Sequence, residues 1–216
     1  MNMWTRFKLR LPLDNRAQTN DMANMTQSSD TALDFLLTRR SRPAKLLTGP
    51  APDREALKTL LTAAARTPDH GKLEPWRFVV LENAAMQRLS EAVAARGLAL
   101  GLAEDAIEKA RASWARAPLA VLVIASPKPS EKIPEIEQVL SAGAVCLALL
   151  NAALAAGWGA NWLSGWASHD RMFVEGELGL APHEFVAGVM HLGTASQTPP
   201  ERPRPDLDAI VEYVAE

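Results

Sequence analysis

The chain has 216 residues, 48% of them apolar, and a formal net charge of -2. That length supports one domain hiding roughly 70% of its extended surface, and the charge excludes a strong field drawing it to nucleic acid or an anionic membrane. The single cysteine, Cys146 in the apolar run 145–150, excludes an internal disulfide and a thiolate metal cluster. It is expected to be a buried, inert thiol in a cytoplasmic protein.

Arg6, Lys8 and Arg10 make a basic start, but Leu11-Pro12-Leu13-Asp14 breaks off before the apolar stretch of about 7 to 15 residues that a signal peptide needs. Residues 14–30 are polar and aperiodic, so 1–29 is expected to be a disordered extension, with Met22 or Met25 a candidate natural start. The domain proper is expected over 30–216. Asp30 can cap a helix through about Arg40, with Leu33, Phe35, Leu36 and Leu37 on its apolar side, before Pro43. Asp53 opens a second helix whose stripe is Leu57, Leu60, Leu61, Ala64 and Ala65, ended by Pro68.

Segments 76–82 and 119–125 are rich in β-branched and aromatic residues and predict strands, with helices over 85–96 and 104–114 between them. The segment 134–156 predicts the longest helix, almost wholly apolar after Ser141. Glu135, Glu137 and Gln138 start it and Asn151 interrupts it, leaving its apolar run short of the 20 or so residues of a membrane span. A core helix or an oligomer interface is expected there. A strand over 158–163, a short helix capped by Ser168, a strand over 184–192, and an Asp206-capped helix after the proline-rich 199–205 complete the chain. Few strands without regular βαβ alternation argue for an α+β fold.

Several motifs fail on inspection. Gly157-Trp158-Gly159 follows a helix where a dinucleotide fingerprint needs a strand, and Trp162 stands in the third glycine's place. Trp162-Leu163-Ser164-Gly165-Trp166 lacks the glycine that a nucleophile elbow needs before its serine. His183-Glu184 has no second histidine four residues on, and no metal site is expected.

Two islands remain. The first is Arg39-Arg40-Ser41 at a helix end, where cations offset the helix dipole or, with the hydroxyl, clamp a phosphate through charge-assisted hydrogen bonds. The second is Arg66-Thr67-Pro68-Asp69-His70-Gly71, running on to Pro75-Trp76-Arg77-Phe78, a loop that Pro68 and Gly71 shape around an arginine and an imidazole.

With Ala51-Pro52, Gly157-Trp158-Gly159 and Trp162-Leu163-Ser164-Gly165, in this order and spacing, the islands resemble the nitroreductase family of FMN-dependent NAD(P)H oxidoreductases, in its small YdjA-type branch. The resemblance covers residue 31 to the C-terminus. It implies an α+β sandwich working as an intertwined homodimer, with FMN at the subunit interface and the long apolar helix at the dimer centre. Carried over by position, Arg39, Arg40 and Ser41 would contact FMN from one chain, Arg66 and His70 from the other. Trp162, Leu163 and Ser164 would line the flavin pocket. Ala152, Ala153, Leu154, Ala155, Ala156 and Gly157 match the stretch assigned to the nicotinamide nucleotide.

The middle position of Trp162-Leu163-Ser164 is often basic in relatives, and leucine offers only packing and backbone hydrogen bonds. Arg202 or Arg204 could supply a replacement cation. The resemblance implies that NADH or NADPH reduces the flavin, which then reduces a nitroaromatic, a quinone or another electron-poor small molecule, and no catalytic side chain is required. A flavin-binding dimer without turnover, a reductive dehalogenase on the same scaffold, and a non-enzymatic interaction protein are the alternatives.

Overall fold

The computed structural model describes residues 32–215. The expected extension 1–29 and the Asp30 cap lie outside the described residues. The first helix, α1 (Ala32–Thr38), precedes β1 (Leu47–Thr48) and α2 (Arg54–Ala64), whose cap Asp53 accepts the Ala56 N–H at 2.8 Å. Next come β2 (Trp76–Glu82), α3 (Asn83–Ala99), α4 (Glu104–Ala115) and β3 (Leu119–Ala125). The chain continues through α5 (Glu135–Ala155), β4 (Gly159–Leu163), α6 (Arg171–Leu178), β5 (Phe185–Ala195) and the one-turn α7 (Leu207–Ile210).

All strand pairs are antiparallel, in the order β1-β5-β3-β2, with β4 also on β5. Strand β3 is buried along its whole length because both faces are covered, which its unbroken apolar sequence Leu-Ala-Val-Leu-Val-Ile-Ala requires. Ala120, Leu122 and Ile124 face a core completed by α3, α4 and α6, including Met86, Leu89, Trp114 and Phe173. Leu119, Val121 and Val123 face a second core, with Leu57, Leu60 and Ala64 of α2 and Val145, Cys146, Leu149 and Leu150 of α5. The sheet between two helical layers makes the α+β architecture.

Two expectations change. Asp170, not Ser168, caps α6: its carboxylate accepts the Phe173 N–H at 2.8 Å while holding Arg96 at 2.8 and 2.9 Å, and Ser168 is buried in the preceding 3-10 turn. A charged acceptor with a cationic partner outcompetes a hydroxyl for that N–H. Strand β5 runs to Ala195, beyond Leu192, because the short β1 pairs Thr48 with Thr194 and Leu47 with Ala195.

Helix α5 is long and apolar enough to cross a membrane by length and composition. Gln138, Ala142, Val145, Cys146, Leu149, Leu150, Ala153 and Leu154 are nevertheless packed inside the protein, the position of a core helix.

Candidate functional site

The first island leaves α1 as the apolar helix ends. Arg39 N–H closes the last turn on the Phe35 carbonyl at 2.8 Å, and the chain then runs beside β4, where Arg42 N–H donates to the Ala160 carbonyl at 2.8 Å. The Asn161 side-chain amide returns a bond to the Arg42 carbonyl at 2.8 Å. This backbone clamp concentrates arginines in one place. Arg39 Nη2 donates to Ser41 Oγ at 3.1 Å. Arg40 reaches the Pro200 carbonyl, and Glu201 at 3.0 Å.

Arg42 stands outside the expected set and is only 4% exposed. The one signal for it in sequence is that it extends the Arg39-Arg40-Ser41 run. Arg39 Nε and Arg42 Nη1 are buried without a hydrogen-bond partner among the described residues. Burial lowers the pKa of both, and then neighbouring cations do so: Arg204 and Arg40 for Arg39, and Arg40 for Arg42. The proline-rich tail thus brings Arg204 to the first island, where Glu201 pairs with both Arg40 and Arg204. Arg202 is exposed and gives Glu201 a backbone N–H. Desolvated guanidiniums that repel one another and still hold unpartnered N–H groups suit a multiply charged anion such as a phosphate.

The second island lies elsewhere. His70 Nδ1 bonds Glu137 Oε2 at 2.7 Å, in the first turn of α5, and Ser141 Oγ donates to the Pro68 carbonyl at 3.2 Å. Gly71 has φ +71°, and a Cβ there would stand 2.5 Å from Ile133 Cδ1. Lys72 and Glu74 are also left-handed, at φ 55° and 48°, a strained conformation that the Glu74 N–H bond to Asp69 Oδ2 at 2.9 Å helps hold. Arg66 and His70 are exposed. The 21 residues of α5 span about 32 Å at 1.5 Å per residue, with the second island bonded to its first turn and the first island bonded to β4, the strand that follows it.

The third segment ends β4. Trp162 is laid over Gly188: a Cβ there would stand 2.2 Å from Trp162 Nε1 and 2.9 Å from Cys146 Sγ, so only glycine admits the indole. Leu163 pairs with Val189, and Ser164 Oγ meets His169 Nε2 at 3.0 Å. Leu163 and Ser164 border a cleft of about 480 Å³ under α4, which Lys109, Ser113, Trp166 and His191 also line. Arg39, Arg66 and His70 do not reach this cleft.

The stretch 152–157 is the last turn of α5 and its exit. Ala153 and Leu154 point into the second core, Ala152 is half-buried, and Ala155, Ala156 and Gly157 are exposed. Burial pushes the Cys146 thiol up to about 12, an inert state. The described residues hold no group of three His, Cys, Asp or Glu able to bind a metal.

The family model described as "Nitroreductase family" matches residues 36–194. The chain is 38% identical over 163 residues to "Putative NAD(P)H nitroreductase YdjA" of Escherichia coli (strain K12), across 76% of this chain and 87% of that protein. It superposes on the nitroreductase-like family protein from Bacillus cereus with a TM-score of 0.72 at 21% identity, covering 88% of this chain and 100% of the other. The FMN and NADPH-dependent nitroreductase NfnB from Sphigopyxis sp. strain HMH gives 0.67 at 21%, covering 86% and 99%. With the family model spanning both islands and the segment that ends β4, the chain belongs to the nitroreductase family and is an oxidoreductase.

Proposed function

We propose that the protein is an FMN-dependent oxidoreductase that uses NADH or NADPH to reduce electron-poor acceptors, nitroaromatics or quinones, and that it works as a homodimer. The observation that carries the reading is the cluster of Arg39, Arg40, Arg42 and Arg204 about the carboxylate of Glu201, with Arg39 Nε and Arg42 Nη1 unpartnered among the described residues. Such a site suits the phosphate of FMN, with Ser41 adding a hydroxyl.

Helix α5 supports the dimer. Ile136, Leu140 and Leu147 are 61%, 65% and 46% exposed, and with Ala144 they form one stripe at three- and four-residue spacing. An apolar stripe of that length facing water calls for a partner. In a two-fold pair the same face meets itself, and an antiparallel crossing would set the start of one α5 against the end of the other. Arg66 and His70 of one subunit would then approach Arg39, Ser41 and Arg42 of its partner. Exposed Leu33, Leu36 and Leu37 of α1, and Leu207, Ile210 and Tyr213 of the tail, offer further apolar surface for intertwining.

Bound FMN would supply the hydride chemistry between the nicotinamide nucleotide and the acceptor. This chain's residues hold and surround it. The arginines and Ser41 would grip its phosphate. Trp162, Leu163 and Ser164 would line the ring pocket. Residues 152–157 offer the exposed backbone and small side chains of Ala155, Ala156 and Gly157 to the nicotinamide nucleotide.

The purified protein is expected to be yellow, to elute as a dimer, and to oxidise NADH or NADPH when given a nitroaromatic or quinone. Colourless protein that cannot be reconstituted with FMN would overturn the proposal.

A further inference from the structure

The start of α5, with Ile133 just before it, holds the second island at three points: His70 Nδ1 meets Glu137 Oε2 at 2.7 Å, Ser141 Oγ donates to the Pro68 carbonyl at 3.2 Å, and Gly71 lies so close that a Cβ would stand 2.5 Å from Ile133 Cδ1. That start is itself fixed. Gln138, 4% exposed, donates to the Lys128 carbonyl at 2.9 Å and accepts the Lys128 N–H at 2.8 Å. The Glu137 N–H closes on the Pro134 carbonyl at 3.1 Å, and Ser130 Oγ accepts the Ile133 N–H at 3.0 Å.

A glutamate in the first turn of a helix has an ordinary use, offsetting the positive end of the helix dipole. Glu135 already stands in that turn, and the dipole does not require Glu137 to reach an imidazole 67 positions back along the chain. Nor does the fold gain much, since the two side chains are 61% and 45% exposed, and exposed pairs add little to stability. The specific effect is on the ring. A carboxylate only accepts, so the Nδ1 that faces it carries the proton, and Nε2 is the nitrogen left to meet a ligand. An unheld imidazole would present either nitrogen in either tautomer and lose that freedom on binding. Holding a histidine through the nitrogen that does not touch the ligand removes this cost. FMN carries hydroxyls, ring carbonyls and a phosphate, so Nε2 finds a partner whether it accepts or, in a protonated ring, donates.

We infer that Glu137 is a positioning residue, which fixes the Nδ1–H form of His70 and turns Nε2 toward the FMN that the second island serves in the dimer. The inference rests on the proposed flavin function. Glu137 touches no cofactor itself, so its whole effect on FMN passes through His70. A merely structural carboxylate would act equally with or without the imidazole.

The test titrates FMN into flavin-free wild-type protein, Glu137→Ala, Glu137→Gln, His70→Ala and the Glu137→Ala, His70→Ala double variant, following quenching of flavin fluorescence, with thermal unfolding of each flavin-free form alongside. Glu137→Ala is expected to leave the melting temperature nearly unchanged and to weaken FMN binding about fivefold to tenfold, the effect of one misaligned hydrogen bond. Glu137→Gln, whose amide oxygen accepts the same Nδ1–H, is expected to recover most of the affinity. In the His70→Ala background, Glu137→Ala is expected to cost nothing further. A second readout needs no cofactor: nitrogen NMR of the flavin-free wild-type protein in alkaline buffer is expected to show His70 as the Nδ1–H tautomer, and Glu137→Ala to lose that preference. Wild-type FMN affinity in Glu137→Ala, a further loss in the double variant, or an Nε2–H imidazole in the wild-type protein would overturn the inference and leave the flavin function standing. A wild-type protein that binds no FMN would overturn both.

Discussion

Glu184 holds Arg77 through two parallel hydrogen bonds, Nε to Oε1 and Nη2 to Oε2, both 2.7 Å, although β3 separates β2 from β5. The pair fastens β2 to the residue before β5, and Glu184 also accepts the Ala181 N–H at 3.0 Å. The Arg77 hydrogen bonds hold the Glu184 carboxyl at about 2, against the opposing effect of burial. A folded pKa below the unfolded 4.5 means the stabilisation is complete above pH 4.5 and lost as pH falls toward 2. It amounts to about 3 kcal/mol. Arg77→Met should therefore lower unfolding free energy at pH 7 by about 3 kcal/mol and flatten the acid dependence in this window. Urea unfolding at several pH values measures both; an unaltered profile in the variant counts against the assignment.

His191 contributes a separate step at higher pH. Burial lowers its pKa from 6.5 to about 4, so the unfolded chain binds the additional proton. Its neutral burial costs nothing extra above pH 6.5, and stability falls as pH drops from 6.5 to about 4, by about 3 kcal/mol in flavin-free protein. His191→Phe should be flat across this window while keeping the Glu184 step below it. A variant retaining the wild-type slope between pH 6.5 and 4 would assign that slope to other groups.

Arg39 is desolvated and repelled by Arg40 and Arg204, so its removal should cost the fold little. Arg39→Ala is expected to change unfolding free energy by less than about 1 kcal/mol and to weaken FMN binding by about 10- to 100-fold, the range for a charge-assisted hydrogen bond. The salt dependence of FMN binding should become shallower in the same variant. Full FMN affinity in Arg39→Ala would remove the first island from the site.

Leu140 faces water on α5 at 65% exposure. Leu140→Glu should leave the monomer folded, since the side chain is outside both cores, and abolish the dimer by burying two carboxylates against each other. Light scattering should then report a single-chain mass near 23.4 kDa, with FMN lost in parallel. A dimer persisting in this variant would move the interface off α5.

Gly188 admits the Trp162 indole only because it has no Cβ. Gly188→Ala should expel the ring, expose the Cys146 thiol beneath it, and accelerate modification of that thiol by a disulfide reagent at least tenfold over wild-type. Equal labelling rates would mean that the thiol is reached only by wider opening of the fold.

The fold was legible where local chemistry and burial agree. Asp53, Asp206 and the apolar runs of 76–82, 119–125 and 134–156 mark elements that the structure reproduces within a residue or two. The two-residue β1 was not, because Leu47-Thr48 is too short for periodicity and exists through pairing with Thr194 and Ala195. Asp170 was passed over because its pairing with Arg96, 74 positions away, is invisible locally. For the site, Arg39, Arg40 and Ser41 stood out through type and spacing. Arg42 did not, since a buried arginine is recognised by what surrounds it, and its partners Ala160 and Asn161 come from β4.

The placement of β5 also has a consequence for biosynthesis. It is the last strand in the chain, yet β1, β3 and β4 all bond to it, and Arg40 is tied to Glu201 further still toward the C-terminus. A ribosome-bound chain that has made everything up to α6 has only the β2–β3 pair of the sheet and an open first island. Closure of the sheet, and with it completion of the arginine site, therefore waits until β5 and the segment through Glu201 have been made.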